Sequence, residues 1–274
     1  MRPGRATFTS MAGWVTGSNM TRFPRLRLSL LTAAIVGGLA AFPADSSWAE
    51  DSFTPAQRQE IVAIVRNALK TDPTILADAI TAMRAETEAQ QQAKGLQAVR
   101  ANRAKLAGSS GDIVLGNPKG SLSVVEFYDP RCPYCRKVLP DLDKLVAAEP
   151  DLRLVEKVVP VLGPASQMEA QAIAAAGLQG GYLKLQQALM SDSQPASIAR
   201  IRALATAAGL DADRLERDMK GPDVAAILHE NMDLARQIGL EGTPTFLIGE
   251  KAIIPGAASF EDLKSSVDSL RKPG

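Results

Sequence analysis

Cysteine and histidine are scarce in this chain of 274 residues, which contains two cysteines and one histidine. Two cysteines exclude a framework of several disulfides and a four-cysteine zinc site. Net charge is also nearly absent, since 31 Lys and Arg residues oppose 30 Asp and Glu residues. A balanced charge does not provide the electrostatic field that attracts a nucleic-acid backbone, so we expect no nucleic-acid partner.

What the chain does have is the composition of a globular protein. Hydrophobic residues make up 46% of it and charged residues 22%, which is typical of a chain that folds around a core. At roughly 150 residues per domain, the length allows one large domain or two small ones.

The first 49 residues have the pattern of a secretory signal peptide. Five arginines and no acidic residue precede an apolar stretch from Leu28 to Phe42, which is shorter than the roughly 20 residues of a membrane-spanning helix. Ser47 and Ala49 are small residues at positions −3 and −1 of a cleavage point after Ala49. We therefore predict cleavage there and export into an oxidising compartment. An uncleaved membrane anchor is the alternative.

Residues 50–107 are predicted to form an N-terminal helical extension. Thr54 and Pro55 are typical of a helix start, apolar residues follow at three- and four-residue spacing, and residues 71–73 separate a second helix from the first. The second helix is polar over residues 86–94 and then keeps a thin apolar seam. Because this stretch cannot form a core alone, we expect it to bind a second copy of the chain or to remain a solvated stalk. Packing on its own domain is the open alternative.

A separate α/β domain is predicted at residues 112–272, after two glycine-rich stretches. Its expected elements are a strand at residues 123–129, a helix at 136–148, a strand at 152–161, a helical insertion at about 166–238, a strand hairpin at 245–254 and a helix from 259. The order of strand, helix and strand predicts a parallel pair joined by a right-handed crossover.

Cys132 and Cys135 form a Cys-X-X-Cys motif between the first predicted strand and its helix. The unpaired amides and the positive dipole end of a helix stabilise a thiolate at the first cysteine, so Cys132 is the expected nucleophile. Cys135, one turn inside the helix, is placed to attack a mixed disulfide on Cys132 and release the client protein. A disulfide between them closes too short a loop to serve as a structural staple.

Metal binding is the competing interpretation of the same two thiols. Zinc would need two more ligands, and the single histidine, His229, lies in a predicted helix where we expect it on the surface. Copper(I) held by two thiolates stays open. The chain has neither a Gly-x-Gly-x-x-Gly fingerprint after a strand nor a Walker A loop, so we expect no cofactor.

Two motifs together resemble the DsbA-like branch of the thioredoxin superfamily, namely VEFYDPRCPYC at residues 125–135 and GTPTF at residues 242–246. The resemblance covers about residues 112–272 and implies a thioredoxin fold with a helical insertion. The VPVLGP stretch at residues 159–164 and the N-terminal extension are similar to ScsC-type periplasmic thiol-disulfide proteins. This implies a periplasmic location, exported proteins with cysteines as clients, and a membrane redox partner that resets the Cys132–Cys135 dithiol and disulfide.

The resemblance also assigns roles to residues outside the cysteine pair. Thr243 and Pro244 match the family's cis-proline loop, which faces the disulfide and binds the extended backbone of the client. Pro133 and Tyr134, between the cysteines, belong to the same client-binding surface. Glu126 matches the family's buried acid, whose role would be to accept the Cys135 proton. An outward-facing strand glutamate is the alternative at that position.

Tyr134 departs from the pattern of the strong oxidases, which carry histidine at this position. Without that imidazole we expect a reduction potential of about −180 to −230 mV instead of about −120 mV. A less oxidising pair also isomerises disulfides, and an oligomer formed through residues 50–107 would raise the effective concentration of active sites around one client. Oxidase and isomerase both stay open, and the alternative from another class is a copper(I)-binding protein.

Overall fold

The computed structural model describes residues 53–108 and 112–271. A boundary between Ile61 and Val62 divides the chain into two units. The predicted signal peptide, residues 1–49, lies outside the described residues. Within the described ranges, no helix combines the length and the hydrophobicity that a bilayer crossing requires.

The described residues form helices and strands in the order expected of an α/β domain that follows a helical segment. The helices are α1 Pro55–Thr71, α2 Thr74–Ala101, α3 Arg103–Leu106, α4 Pro133–Ala148, α5 Pro164–Gly177, α6 Tyr182–Ser191, α7 Ile198–Ala207, α8 Ala212–Asp218, α9 Pro222–Ile238 and α10 Phe260–Leu270. The strands are β1 Ile113–Gly116, β2 Leu122–Tyr128, β3 Leu152–Val158, β4 Thr245–Ile248 and β5 Ala252–Pro255.

The five strands form one mixed sheet in the order β1-β3-β2-β4-β5. β2 and β3 are parallel, and α4 provides the connection between them, which confirms the parallel pair predicted from the sequence. β4 is antiparallel to β2 and to β5, as the hairpin prediction required. The predicted helical insertion consists of α5 to α9 between β3 and β4.

Side-chain alternation along β2 divides the core between the two faces of the sheet. Val124 packs with residues of α4, α10, β3 and β4 on one face, and Tyr128 of the same face packs against α5 and α6. Val125 and Phe127 pack on the other face with residues of α9 and of the segment before β1. Glu126 is therefore on the face of Val124 and Tyr128, which is the face that α4 covers.

α4 begins at Pro133, three residues before the predicted start at residue 136. Proline is well suited to the first turn of a helix, because its φ is already helical and its missing N–H would have no partner there. Cys132 is the N-cap residue, with φ −71° and ψ 121°. The helix continues through Pro140 to Ala148.

The helical segment before the sheet changes its environment at Gly95. No residue of α1 is buried, and α2 is exposed from Thr74 to Lys94. Gly95 and Val99 are then buried in α2, and Leu106 is buried in α3. Val99 and Leu106 join the core on the α9 face of the sheet. Residues 95–106, assigned by sequence to the extension, thus pack on the domain itself, and Gln92 Nε2 in the exposed part of α2 donates to the Ile253 carbonyl of β5 at 3.5 Å.

Candidate active site

The Cys132 thiol lies at the N-terminus of α4 and faces the loop before β4. Its main-chain N–H donates to the carbonyl of Asp129 at 3.0 Å, and its carbonyl accepts from the N–H of Arg136 at 3.1 Å. Its Sγ donates to the carbonyl oxygen of Thr243 at 3.2 Å. Both cysteines are buried free thiols, so the geometry is that of the reduced site.

The Thr243–Pro244 peptide bond is cis. The loop is held by Thr245, whose hydroxyl donates to the Gly242 carbonyl at 2.8 Å, and by Gly256, whose N–H donates to the Pro244 carbonyl at 2.8 Å. The cis bond and the contact with Cys132 have the arrangement that the resemblance implied for this loop.

The surface around the cysteine pair is partly open to solvent. Pro133 and Tyr134 are exposed, and 62% of Tyr134 is accessible to solvent. Cys132 itself is 4% exposed. Pro133 and Tyr134 therefore lie at the surface next to Cys132.

Glu126 is buried, with 1% of its surface exposed, so the alternative of an outward-facing glutamate is wrong. Neither of its carboxylate oxygens has a hydrogen-bond partner within the described part of the chain. Burial raises the pKa of Glu126 well above its usual value, and the negative charge of Glu156 adds to this, with a further contribution from Cys132.

Cys135 lies deeper than Cys132 and is completely buried. Burial raises the pKa of the Cys135 thiol strongly, and the carboxylate of Glu126 raises it further. A thiol that resists ionisation attacks a disulfide only if a nearby base takes its proton. The structure places Glu126 close enough to Cys135 for their charges to interact, so this carboxylate is the candidate base.

Glu156 is a second buried acid, which the sequence interpretation missed. It lies on β3 directly opposite Glu126, and Gln186 Nε2 of α6 donates to its Oε2 at 2.6 Å. Burial raises the pKa of Glu156 to about 7, although the hydrogen bond from Gln186 lowers it. The signal that singled out Glu126, an acid inside an apolar strand, was also available for Glu156.

Asp129, also missed, connects the end of β2 to the loop after β3. Its Oδ1 accepts from the N–H of Arg131 at 2.7 Å and from the hydroxyl of Ser166 at 2.8 Å. Its Oδ2 accepts from the N–H groups of Val161 and Leu162 at 2.8 and 3.0 Å. The segment that leads into Cys132 is thereby fixed to α5 and to the loop before it.

A third feature that the sequence did not reveal is the pair of arginines around the cysteine motif. Arg131 Nη1 lies 3.1 Å from Oε1 of the buried Glu169 on α5, and Arg136 Nη2 lies 3.8 Å from its Oε2. Arg136 also donates to the Pro130 carbonyl at 2.9 Å. These contacts position the turn that carries Cys132.

Metal ligands are not clustered around the thiol pair. Across residues 53–108 and 112–271, no group of three or more His, Cys, Asp or Glu side chains has the arrangement of a metal site. His229 is exposed on α9, where its Nδ1 lies 3.0 Å from Asp233 Oδ2. It takes no part in the site.

Two known protein families match separate parts of the chain, one the α/β domain and the other the helical segment before it. Residues 123–268 match the DSBA-like thioredoxin domain. The chain belongs to the DSBA-like thioredoxin family. Residues 57–90 match the N-terminal domain of the copper resistance protein ScsC. The chain thus has the DsbA-like thioredoxin fold that its motifs implied, preceded by a segment similar to the N-terminal domain of ScsC.

Solved structures of relatives support the assignment. A thioredoxin-like oxidoreductase from Silicibacter pomeroyi DSS-3 is 40% identical, with a TM-score of 0.60, over 63% of this chain and 99% of that chain. Proteus mirabilis ScsC in a transitional conformation is 28% identical, with a TM-score of 0.58, over 80% of this chain and 96% of that chain.

Curated relatives include the Na(+)/H(+) antiporter NhaA 1 of Salinispora arenicola, which is 29% identical over 160 residues. The match covers 58% of this chain and 24% of the antiporter. The chain therefore spans about a quarter of the length of the curated relatives that it matches.

Proposed function

We propose that this protein is a periplasmic thiol-disulfide oxidoreductase that forms, reduces or isomerises disulfides in exported proteins. The observation that carries the proposal is the contact between the Cys132 thiol and the Thr243 carbonyl. This contact supports the proposal because Cys132 lies next to the loop segment with which an extended client backbone would pair. Buried Glu126 lies behind the pair, where a proton acceptor for Cys135 is needed.

The exchange uses the two cysteines in turn. The Cys132 thiolate attacks a sulfur of a client disulfide, which forms a mixed disulfide and releases the other client sulfur as a thiolate. Cys135, having given its proton to Glu126, attacks Cys132 and releases the second client sulfur. Two electrons have then passed to the client. The same steps in reverse oxidise a client dithiol, and no cofactor is involved.

The dipeptide between the cysteines supports a moderate reduction potential. Tyr134 is exposed and has no imidazole to stabilise the thiolate of its neighbour. We therefore expect about −180 to −230 mV, a range in which the pair is able to isomerise as well as oxidise.

Homo-oligomerisation through the extension is part of the proposal. Eight large apolar residues between residues 62 and 94 are exposed, namely Val62, Ile64, Val65, Leu69, Ile75, Leu76, Ile80 and Met83. Exposed apolar surface of this extent is typical of an interface. Residues 57–90 match the ScsC N-terminal domain, which is a different family model from the one that matches the thioredoxin domain.

The proposed location and partners follow from the predicted signal peptide and from relatives. A solved relative, 28% identical, is described as a periplasmic thioredoxin-like protein from Salmonella enterica serovar Typhimurium. In that compartment the clients would be exported proteins with cysteines, and a membrane protein would reset the Cys132–Cys135 pair.

The test compares residues 50–274 with residues 94–274, both reduced, in the reactivation of scrambled ribonuclease, while the mass of each is measured. The shorter protein begins at Lys94 because Val99 and Leu106 belong to the core. If isomerase activity depends on oligomerisation through the extension, only the longer protein should be oligomeric and only the longer protein should reactivate ribonuclease. If both are monomeric and neither reactivates ribonuclease, while both oxidise reduced clients in their disulfide form, the isomerase and oligomer parts of the proposal fail.

Copper(I) binding is a second candidate, favoured by the description of the family that residues 57–90 match. The Cys132 and Cys135 thiolates would be the ligands. Copper(I) binding as a function requires that the reduced protein binds one copper(I) ion in competition with a chromogenic chelator. The variant Cys132→Ser should lose this binding. Disulfide exchange at full rate in metal-free buffer, without stoichiometric copper binding, contradicts it.

A further inference from the structure

Glu126 and Glu156 form a pair of neighbouring buried acids on the α4 face of the sheet. They are register partners in the parallel strands β2 and β3, whose backbones lie about 4.8 Å apart. Each has 1% of its surface exposed. Neither is in an ion pair with Lys or Arg within the described ranges. The negative charge of Glu156 raises the pKa of Glu126, so the two buried acids titrate as a pair.

The two acids have different surroundings. Glu126 faces the cysteines, because its carboxyl interacts with the charges of both Cys132 and Cys135. The hydroxyls of Tyr128 from β2 and Tyr182 from α6 lie 2.7 Å apart next to the acids. Both are donors that keep their protons at neutral pH, since burial raises their pKa values.

Glu156 faces a groove that Glu126 does not reach. The groove lies between α4 and α6, has a volume of about 330 Å³ and is lined by Glu156 and Gln186 together with Arg136 and Asp143 of α4. The negative charge of Asp143 raises the pKa of Glu156. Glu156 therefore lies between solvent in this groove and the carboxyl of Glu126.

We propose that Glu156 is a positioning residue that passes protons between the groove and Glu126 during disulfide exchange. The inference rests on the proposed function of Glu126 as the acceptor of the Cys135 proton. In resolution, the Cys135 proton goes to Glu126 and the Cys132–Cys135 bond forms. The bond from Cys132 to the client sulfur breaks, and that sulfur leaves with the electron pair and takes a proton from water.

The relay returns Glu126 to its basic form. The proton on Glu126 moves to Glu156 and from there to water in the groove, and the reverse path supplies a proton when Cys135 leaves as a thiolate. When Glu156 is charged, its repulsion makes Glu126 a stronger base. When Glu156 is protonated, this contribution disappears. The resolving step should therefore depend on pH through Glu156.

The test measures the intramolecular step without any protein client. The reduced protein is mixed in a stopped-flow instrument with one equivalent of 5,5′-dithiobis(2-nitrobenzoate) from pH 5 to 8.5. The first coloured thiol released reports attack by Cys132, and the second reports attack by Cys135 on the mixed disulfide. We expect Glu156→Gln to match the unmodified protein below about pH 6, where Glu156 is neutral, and to be about tenfold slower at pH 8. The inflection near pH 7 should disappear. Glu261→Gln, on an exposed residue of α10, is the matched control.

Two results would overturn the relay: an equal slowing of Glu156→Gln at every pH, as a structural defect produces, or an unchanged rate at pH 8. If Glu156→Gln does not fold, the pH dependence of the variant Gln186→Leu tests the relay instead. It removes the hydrogen bond to Glu156 Oε2, so the inflection should move to higher pH, and an unmoved inflection contradicts the proposal. Failure of ribonuclease reactivation leaves this assay unaffected, so the two proposals fail separately.

Discussion

The Cys132 thiol donates its hydrogen bond to the Thr243 carbonyl, a residue 111 positions away in the chain. A thiolate has no proton to donate, so ionisation or oxidation of Cys132 leaves this carbonyl without its partner. An unpaired carbonyl at the site's edge is an acceptor for the N–H of an extended client. We therefore expect ionisation or oxidation of Cys132 to free the Thr243 carbonyl for the proposed client.

Trapping variants test which cysteine attacks the client. Cys135→Ser should accumulate a mixed disulfide with a reducible client, because Cys132 still attacks and nothing resolves the product. Cys132→Ser should form none, since Cys135 is completely buried. Non-reducing gel electrophoresis and mass spectrometry of the trapped species measure both. Trapping through Cys135 in the Cys132→Ser protein would reverse the assignment.

Glu126→Gln should slow release of the mixed disulfide by about tenfold or more at pH 7, because the buried amide accepts no proton from Cys135. The first attack by Cys132 should change much less. Stopped-flow measurement of the two phases separates these steps. Equal slowing of both phases would mean that the substitution disturbs the site as a whole.

Stability should fall as pH rises, because of the buried acids. The pKa of Glu156 is about 7 in the folded protein and its ordinary value is 4.5, so between these values the folded state binds more protons than the unfolded state. Unfolding free energy therefore decreases through this window. Glu156→Gln should leave stability unchanged near pH 4 and raise it at pH 8, by on the order of 3 kcal/mol.

Urea denaturation at both pH values measures the effect. Glu261→Gln, on the exposed surface of α10, should show no difference between them. A stabilisation of Glu156→Gln that is the same at pH 4 and pH 8 would show that packing, and not ionisation, is responsible.

Asp129→Ala should destabilise the fold by about 3 kcal/mol. It removes the acceptor of three main-chain N–H groups and of the Ser166 hydroxyl, and hydrogen bonds to a charged group contribute about 1.5 to 3 kcal/mol each. Asp141→Ala, whose partner Lys144 lies on the surface of α4, is the control and should change little. Thermal unfolding of the three proteins measures the difference.

Gly95→Leu should detach the end of α2 from the sheet. A Cβ at Gly95 would lie 2.7 Å from Ile253 Cδ1 and 3.0 Å from the Ile238 carbonyl oxygen, and overpacking of this kind costs about 1 to 3 kcal/mol. Gln97→Leu places the same side chain on the exposed side of the helix. Faster proteolysis within residues 95–106 is expected for Gly95→Leu alone, and equal cleavage of both variants would contradict this contact.

Local patterns predicted most of the domain, whereas contacts between distant segments were inaccessible. The apolar runs of β2 and β3 and the turn between β4 and β5 are visible in short windows of sequence. The pairing of Glu126 with Glu156 depends on strand register, and the partner of Tyr128 is Tyr182, 54 residues later. A helical period shows which residues are apolar but not what they pack against, so the docking of residues 95–106 was left open.

The exposed part of α2 is continuous with its buried end. From Thr74 to Gln91 the helix extends roughly 27 Å, at 1.5 Å per residue, before Gln92 contacts Ile253 of β5 and Gly95 packs on the sheet. Its direction is therefore set by the packing of Gly95 and Val99, without a flexible joint between them. A partner that binds near Thr74 is therefore held at a fixed distance from the sheet, and the length of α2 sets that distance.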